Sequence, residues 1–220
     1  MSRRSLAGRM HTDFRAFVQA QDFPCLGARA AVHRGRYLFR VYGEMGSPAA
    51  TAGLARDLAR FAAASGEVEF AAFVAAFLEP GPEDETAFEA RLWAQLQRLS
   101  DADPSPLWAP GVGEDAGAAD FAFSFAATPF FVVGLHPASS RMARRFGWPA
   151  LVFNPHAQFE QLRADGRFGR LQEAIRRRDL ALQGSLNPNL SDFGESSAAR
   201  QYSGRAVEPS WRCPFQRRTD

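Results

Sequence analysis

Few residues of this 220-residue chain can ligate a metal or carry a proton: four histidines and two cysteines stand out. His136 and His156 each close an apolar run, FFVVGLHP and ALVFNPH, so each reads as a strand end. If those strands are parallel and joined by the short basic segment from Ser139 to Phe146, both imidazoles lie at one sheet edge. That edge, beyond the carboxyl ends of parallel strands, is where open α/β sheets bind ligands. Two imidazoles there suit metal ligation or acid–base work. The competing reading is two histidines bonded to backbone at strand ends. His11, near the N-terminus, and His33, in what reads as a hairpin turn, are expected to face solvent.

Cys213 precedes Pro214, and such a pair can present a thiolate to haem iron, where a thiolate trans to oxygen favours O–O cleavage. The signal is only two residues long. Cys25 follows Pro24 and reads as a small apolar packing residue. Arg141, Arg144 and Arg145 come just after His136. On a helix Arg141 and Arg145 share a face, suited to carboxylates or phosphates; a solvated basic face is the alternative. Arg176, Arg177 and Arg178 carry the same ambiguity, with solvation favoured.

Other chemistries are missing. The chain contains no lysine, so no phosphate loop of the GxxxxGK[ST] type exists, and no GxGxxG, GxSxG, HExxH or paired CxxC motif occurs. The net charge is +2 and the arginines are spread, so no nucleic-acid partner is expected. No apolar run approaches the ~18 residues of a membrane helix, and MSRRSLAGRM has no apolar leader core. Two cysteines at opposite ends of the chain make no disulfide framework. A cytoplasmic protein with no membrane partner is expected. Phenylalanine occurs 20 times, which implies a Phe-rich core or, more sharply, a flat apolar slot for a planar cofactor.

The elements that must position these residues read as α/β or α+β, one domain over 1–220 with a mixed central sheet flanked by helices. Residues 1–12 are expected to be disordered and 13–21 helical. Residues 28–33 and 36–42 read as a hairpin turning at His33-Arg34-Gly35, and 68–77 as a buried strand. Helices are expected at 49–64 and 84–99, where Phe88, Leu92, Leu96 and Leu99 share a face. Strands follow at 119–125, 129–135 and 149–154, with a short helix at 139–146 and further helices at 156–164 and 167–182. Residues 187–220 lack apolar periodicity, but Tyr202, Trp211 and Phe215 predict an irregular tail wrapped over the domain rather than a free one.

The blocks FFVVGLHPASSRMARRF, LVFNPHAQFEQLR, IRRRDLALQGSLNPNL, ARQYSGR and WRCPF, with the earlier FPCLGARAAV and FEARLWAQLQRL, resemble the YqcI/YcgG family in fixed order from about residue 23 to 215. Two positions depart from that pattern. Ala198 stands where an acidic residue is usual, which bears on substrate identity, and Asn189 where Met is more frequent. Characterised members look like haem proteins that hydroxylate guanidine or amine nitrogen in natural-product pathways, one on free arginine toward D-cycloserine and another in guanitoxin assembly. The resemblance implies a haem b oxygenase, or a haem carrier or sensor without turnover. It makes His136 and His156 the leading axial ligands and Cys213 the third. Arg141 and Arg145, joined by Arg205, would meet the propionates, and Phe131 and Phe153 the ring faces. Glu160, Asp179, Asp192 and Glu195 become candidates to hold a cationic substrate and remove its proton, each with an arginine salt bridge as its alternative role. With no flavin or nicotinamide motif, electrons would come from an external donor or from peroxide. A homodimer exchanging the tail is one arrangement open to such a chain.

Overall fold

A computed structural model of the protein describes residues 3–218 apart from Glu67, Pro80, Pro82, Glu83 and Pro106. The fold is α/β: a mixed five-stranded sheet in the order β1-β2-β5-β4-β3, with helices on both faces. Strands β1 (Tyr37–Glu44) and β2 (Ala72–Glu79) are parallel, joined through α3 (Pro48–Ser65). Strands β3 (Phe123–Phe125), β4 (Thr128–Leu135) and β5 (Ala150–Pro155) are antiparallel to their neighbours, and β5 runs antiparallel to β2.

Local chemistry explains several boundaries. The Ser47 hydroxyl caps α3 by accepting from Ala50 N, with Pro48 in the first turn. Asp84 caps α4 (Glu85–Asp101) by accepting from Ala87 N at 2.7 Å. The β3–β4 connection is a two-residue turn with Ala126 at φ 51° and Ala127 at φ 54°. Alanine is disfavoured there, and the turn is held by Asp103, whose carboxylate accepts from Ala126 N at 2.9 Å.

Strand alternation gives the sheet two apolar faces. Phe73, Phe77, Phe130, Leu151 and Phe153 pack against Leu54 and Leu58 of α3 and Phe88, Leu92 and Leu96 of α4. Val74, Ala76, Leu135 and Ala150 point the other way, toward Met10, Phe14 and Val18 of α1 (Arg3–Gln19) and Val32 of α2 (Leu26–His33). Helices α5 (Ala157–Ala164) and α6 (Phe168–Gln183) lie beyond β5. The tail from residue 187 carries one short helix, α7 (Ala199–Tyr202), and wraps the domain. Tyr202 is fully buried; its hydroxyl accepts from Phe123 N and donates to Phe130 O. Arg205 grips Glu89 of α4 with two nitrogens at 2.8 and 2.9 Å.

Several elements differ from the sequence-based expectations. The described part of 1–12 is helical, because Leu6, Met10, Phe14 and Val18 recur every four residues and give α1 an apolar stripe that docks on the sheet. Residues 28–33 are not a strand but α2, which the Cys25 cap and the Ala-rich run LGARAAVH favour. Residues 139–146 contain only a single 3-10 turn, Met142–Arg144. Most consequentially, β4 and β5 are antiparallel, with Leu135 opposite Ala150 and Phe130 opposite Pro155. The two strand-end histidines therefore leave the sheet at opposite ends. Among the described residues no helix is long and apolar enough to cross a membrane.

Candidate functional site: an apolar cavity ending at His156

A cavity of about 400 Å³ lies between the second sheet face and the helices that cover it. That volume is within the range of small-molecule and cofactor sites. Val74 of β2, Phe131, Val133 and Leu135 of β4, and Val152 and Asn154 of β5 form its floor. Its roof includes α6, whose Phe168, Leu171 and Ile175 recur at helical spacing and line the space. No residue of this 16-residue amphipathic helix is fully buried. Its apolar stripe borders this open volume and is only partly buried, whereas full packing of such a stripe is ordinarily what holds a helix to a domain.

His156 stands where β5 turns into α5. Its backbone N–H donates to Pro129 O at 2.9 Å, and its carbonyl accepts from Phe159 N. Gln158, two residues on, donates to Ala71 O, tying the start of α5 to the residue just before β2. The imidazole lines the cavity with Phe193 4.9 Å and Phe159 6.1 Å away, both edge-on. It is only 4% exposed, yet Nδ1 has no hydrogen-bond partner. Burial, and then the Arg163 guanidinium, lower its pKa to about 4, so the ring is neutral at physiological pH. A buried, neutral, unpaired imidazole nitrogen is an exception in folded proteins and calls for a partner.

Opposite charges meet at the walls. Arg141 reaches Asp179 at 2.6 Å and Ser185 O at 2.8 Å. Arg176 reaches Asp192 at 3.1 Å, and Gln172 donates to the same carboxylate oxygen. Arg163 stacks over Phe168 at 4.5 Å. Arg141, Arg163, Arg176, Asp179 and Asp192 all line the cavity.

The residues singled out in the sequence are thus divided. His156, Arg141, Phe131 and Asp192 share the cavity. His136 does not line it. Because β4 and β5 are antiparallel, His136 lies about seven residues of strand away, roughly 24 Å at ~3.4 Å per residue. It is fully buried and stacked 4.1 Å from Phe88, with both ring nitrogens unpaired. Phe153 packs on the other sheet face against Phe73 and Phe130. Arg205 is held by Glu89 and Glu208. Arg145 is exposed and donates to the Ser139 and Ser140 carbonyls. Cys213 packs against the first core, where burial pushes its thiol up to about 12. Glu160 and Glu195 are exposed; Glu195 accepts from Asp192 N. Sequence reasoning read Cys25 as a packing residue, favoured solvation for Arg176 and did not single out Arg163, although all three line the cavity. A cysteine capping a helix was the one available signal, hidden by reading 28–33 as a strand.

The YqcI/YcgG family profile matches residues 14–216. The chain belongs to the YqcI/YcgG family. It is 29% identical over 209 residues to the Bacillus subtilis (strain 168) protein named "Uncharacterized protein YqcI", covering 89% of this chain and 81% of that one. No solved structure matches. The matched span takes in every wall of the cavity, from Phe14 of α1 to Gln201 of the tail, so the cavity is built from family sequence throughout.

Proposed function

We propose that this YqcI/YcgG protein holds haem b in the cavity and hydroxylates a nitrogen of a small amine or guanidine compound such as arginine. The observation that carries the reading is His156: a buried imidazole with an unpaired nitrogen on the wall of an apolar space of about 400 Å³. Among the described residues no three His, Cys, Asp or Glu side chains gather as a metal cage. A porphyrin asks less, since its own nitrogens hold the iron and the protein adds axial ligands. Bound haem would supply oxygen activation, from O2 with an external electron donor or from peroxide.

The protein's own residues would do the rest. His156, already neutral, is available as an iron ligand without first losing a proton. Val133, Val152, Leu171 and Ile175 would keep water from the ring faces. Arg163 and Arg176 would pair with propionates in place of Arg141, which Asp179 already occupies in a mostly buried pair. Asp192 would hold the substrate cation and accept its proton, freeing the nitrogen lone pair. Its pair with Arg176 is about 40% exposed on each side, and exposed pairs contribute ~0–1 kcal/mol, so a bound cation can displace the arginine.

A second reading, a haem carrier or sensor without turnover, is favoured by one fact: both carboxylates on the cavity wall are already paired with arginine. Purification from haem-supplied cells and hemin titration test both readings, with a near-stoichiometric Soret band expected. Colourless protein that takes up no hemin overturns them together. Arginine and related amines with reductant or peroxide should then gain one oxygen atom by mass; a haem-loaded protein that yields no product across the panel is a carrier.

A further inference from the structure

The two edges of the sheet are finished differently. At one edge β3 is three residues long and fully buried, and the loop before it lies alongside, with Ala109 N donating to the Ser124 hydroxyl at 3.0 Å. At the other, β1 runs for eight residues without a proline, and its apolar side chains are all only partly buried. Leu38 and Tyr42 sit at the margin of one core, and Tyr37, Phe39 and Val41 at the margin of the other. The backbone of β1 is open too. Ala72 N donates to Arg36 O, so Arg36, Leu38, Arg40 and Tyr42 turn their backbone groups toward β2. Phe39, Val41 and Gly43 turn theirs outward, where the sheet has no further strand. A long edge of this kind is a template for another strand unless something blunts it. Arg40 screens it in part, donating to Phe39 O at 3.2 Å.

The charges on β1 suit a second copy of the same strand. Arg40 and Glu44 are both exposed and lie on one face of it. Arg36, by contrast, already pairs with Glu69, and among the described residues neither Arg40 nor Glu44 has a salt bridge. An antiparallel pair of β1 strands related by a two-fold axis has three central registers. Centred on Arg40, it sets two arginines directly opposite each other, which is destabilising. Centred on Val41, it sets Glu44 against Leu38. Centred on Tyr42, it sets Arg40 of each copy against Glu44 of the other, twice, and lets Val41 and Gly43 exchange their outward N–H and C=O groups.

We propose that the protein forms a two-fold dimer through β1, in the register centred on Tyr42, so that two sheets join into one continuous sheet. Such an interface is self-complementary, as a two-fold contact must be. Phe39 O, released by Arg40, then meets the partner's backbone, and the half-buried side chains on both faces of β1 gain cover. This inference stands apart from the haem reading.

The test is sedimentation equilibrium of the full chain over a wide concentration range. The wild type should approach twice the monomer mass of 24.2 kDa. Arg40→Glu and Glu44→Arg each set like charges opposite one another twice, and each should raise the dimer Kd about tenfold or more. Mixing these two variants restores opposite charges at both contacts, so an equimolar mixture should dimerise more tightly than either variant alone. Circular dichroism checks that both variants are folded. Wild-type protein that stays monomeric at the highest concentration overturns the dimer. A dimer that either single substitution leaves as tight as the wild type, or a mixture no tighter than the separate variants, overturns β1 in this register as its interface.

Discussion

At the scale of single residues, burial decides what each titrating group can do. His136 and His156 have the same residue type and the same lowered pKa, about 4, yet only His156 faces open volume. His136 makes its own prediction. Burial is the largest cause of its shift; Glu85 opposes it and Arg144 adds to it. The unfolded chain takes up a proton at this site near pH 6.5, whereas the folded chain resists until about 4. Its contribution to stability is therefore full above pH 6.5, falls as pH drops toward about 4, and changes no further below. Urea unfolding of His136→Phe against the parent across that window should show a weaker acid dependence in the variant. At the cavity, Asp192→Asn should leave hemin affinity unchanged while raising the KM or Kd of a cationic substrate by about tenfold or more, the loss expected for one charge-assisted hydrogen bond. Spectral titration reads both quantities.

At the scale of elements, α6 is the least completed part of the molecule. The helix is where the sequence predicted one, and Phe168, Leu171 and Ile175 form its apolar stripe. Spacing could not show that the stripe meets a void. A ligand that fills the space would give α6 its missing packing. Backbone amides of residues 168–183 should therefore exchange with deuterium more slowly after hemin loading, while those of α4, already buried by Phe88, Leu92 and Leu96, should not change. Helix α2 was misread because β-type burial and an Ala-rich helix look alike over a few residues. The capping thiol of Cys25 settled the matter in space. At α4 the cap itself is testable: Asp84→Ala should cost about 1 kcal/mol, read from the denaturation midpoint.

At the scale of the whole molecule, the tail is an integral wall of the core. Glu89 is nearly buried and holds Arg205 and Ser203, so it ties α4 to the tail. Arg205→Ala should cost about 3–5 kcal/mol by leaving that carboxylate without its charged partner, and adding Glu89→Gln should recover much of the loss in thermal unfolding. The family blocks, the apolar runs that became strands, the helix stripes and the wrapping aromatics of the tail were all fixed by local pattern, because periodicity records which face of an element is buried. Strand direction was not, since a parallel and an antiparallel β4–β5 pair bury the same side chains. That one tertiary choice sent His136 and His156 to opposite ends of the sheet, and the packing of α2 on the second face brought Cys25, far away in sequence, to the cavity that His156 lines. Which residues share a site is a matter of distance between elements, and only the packed chain sets that distance.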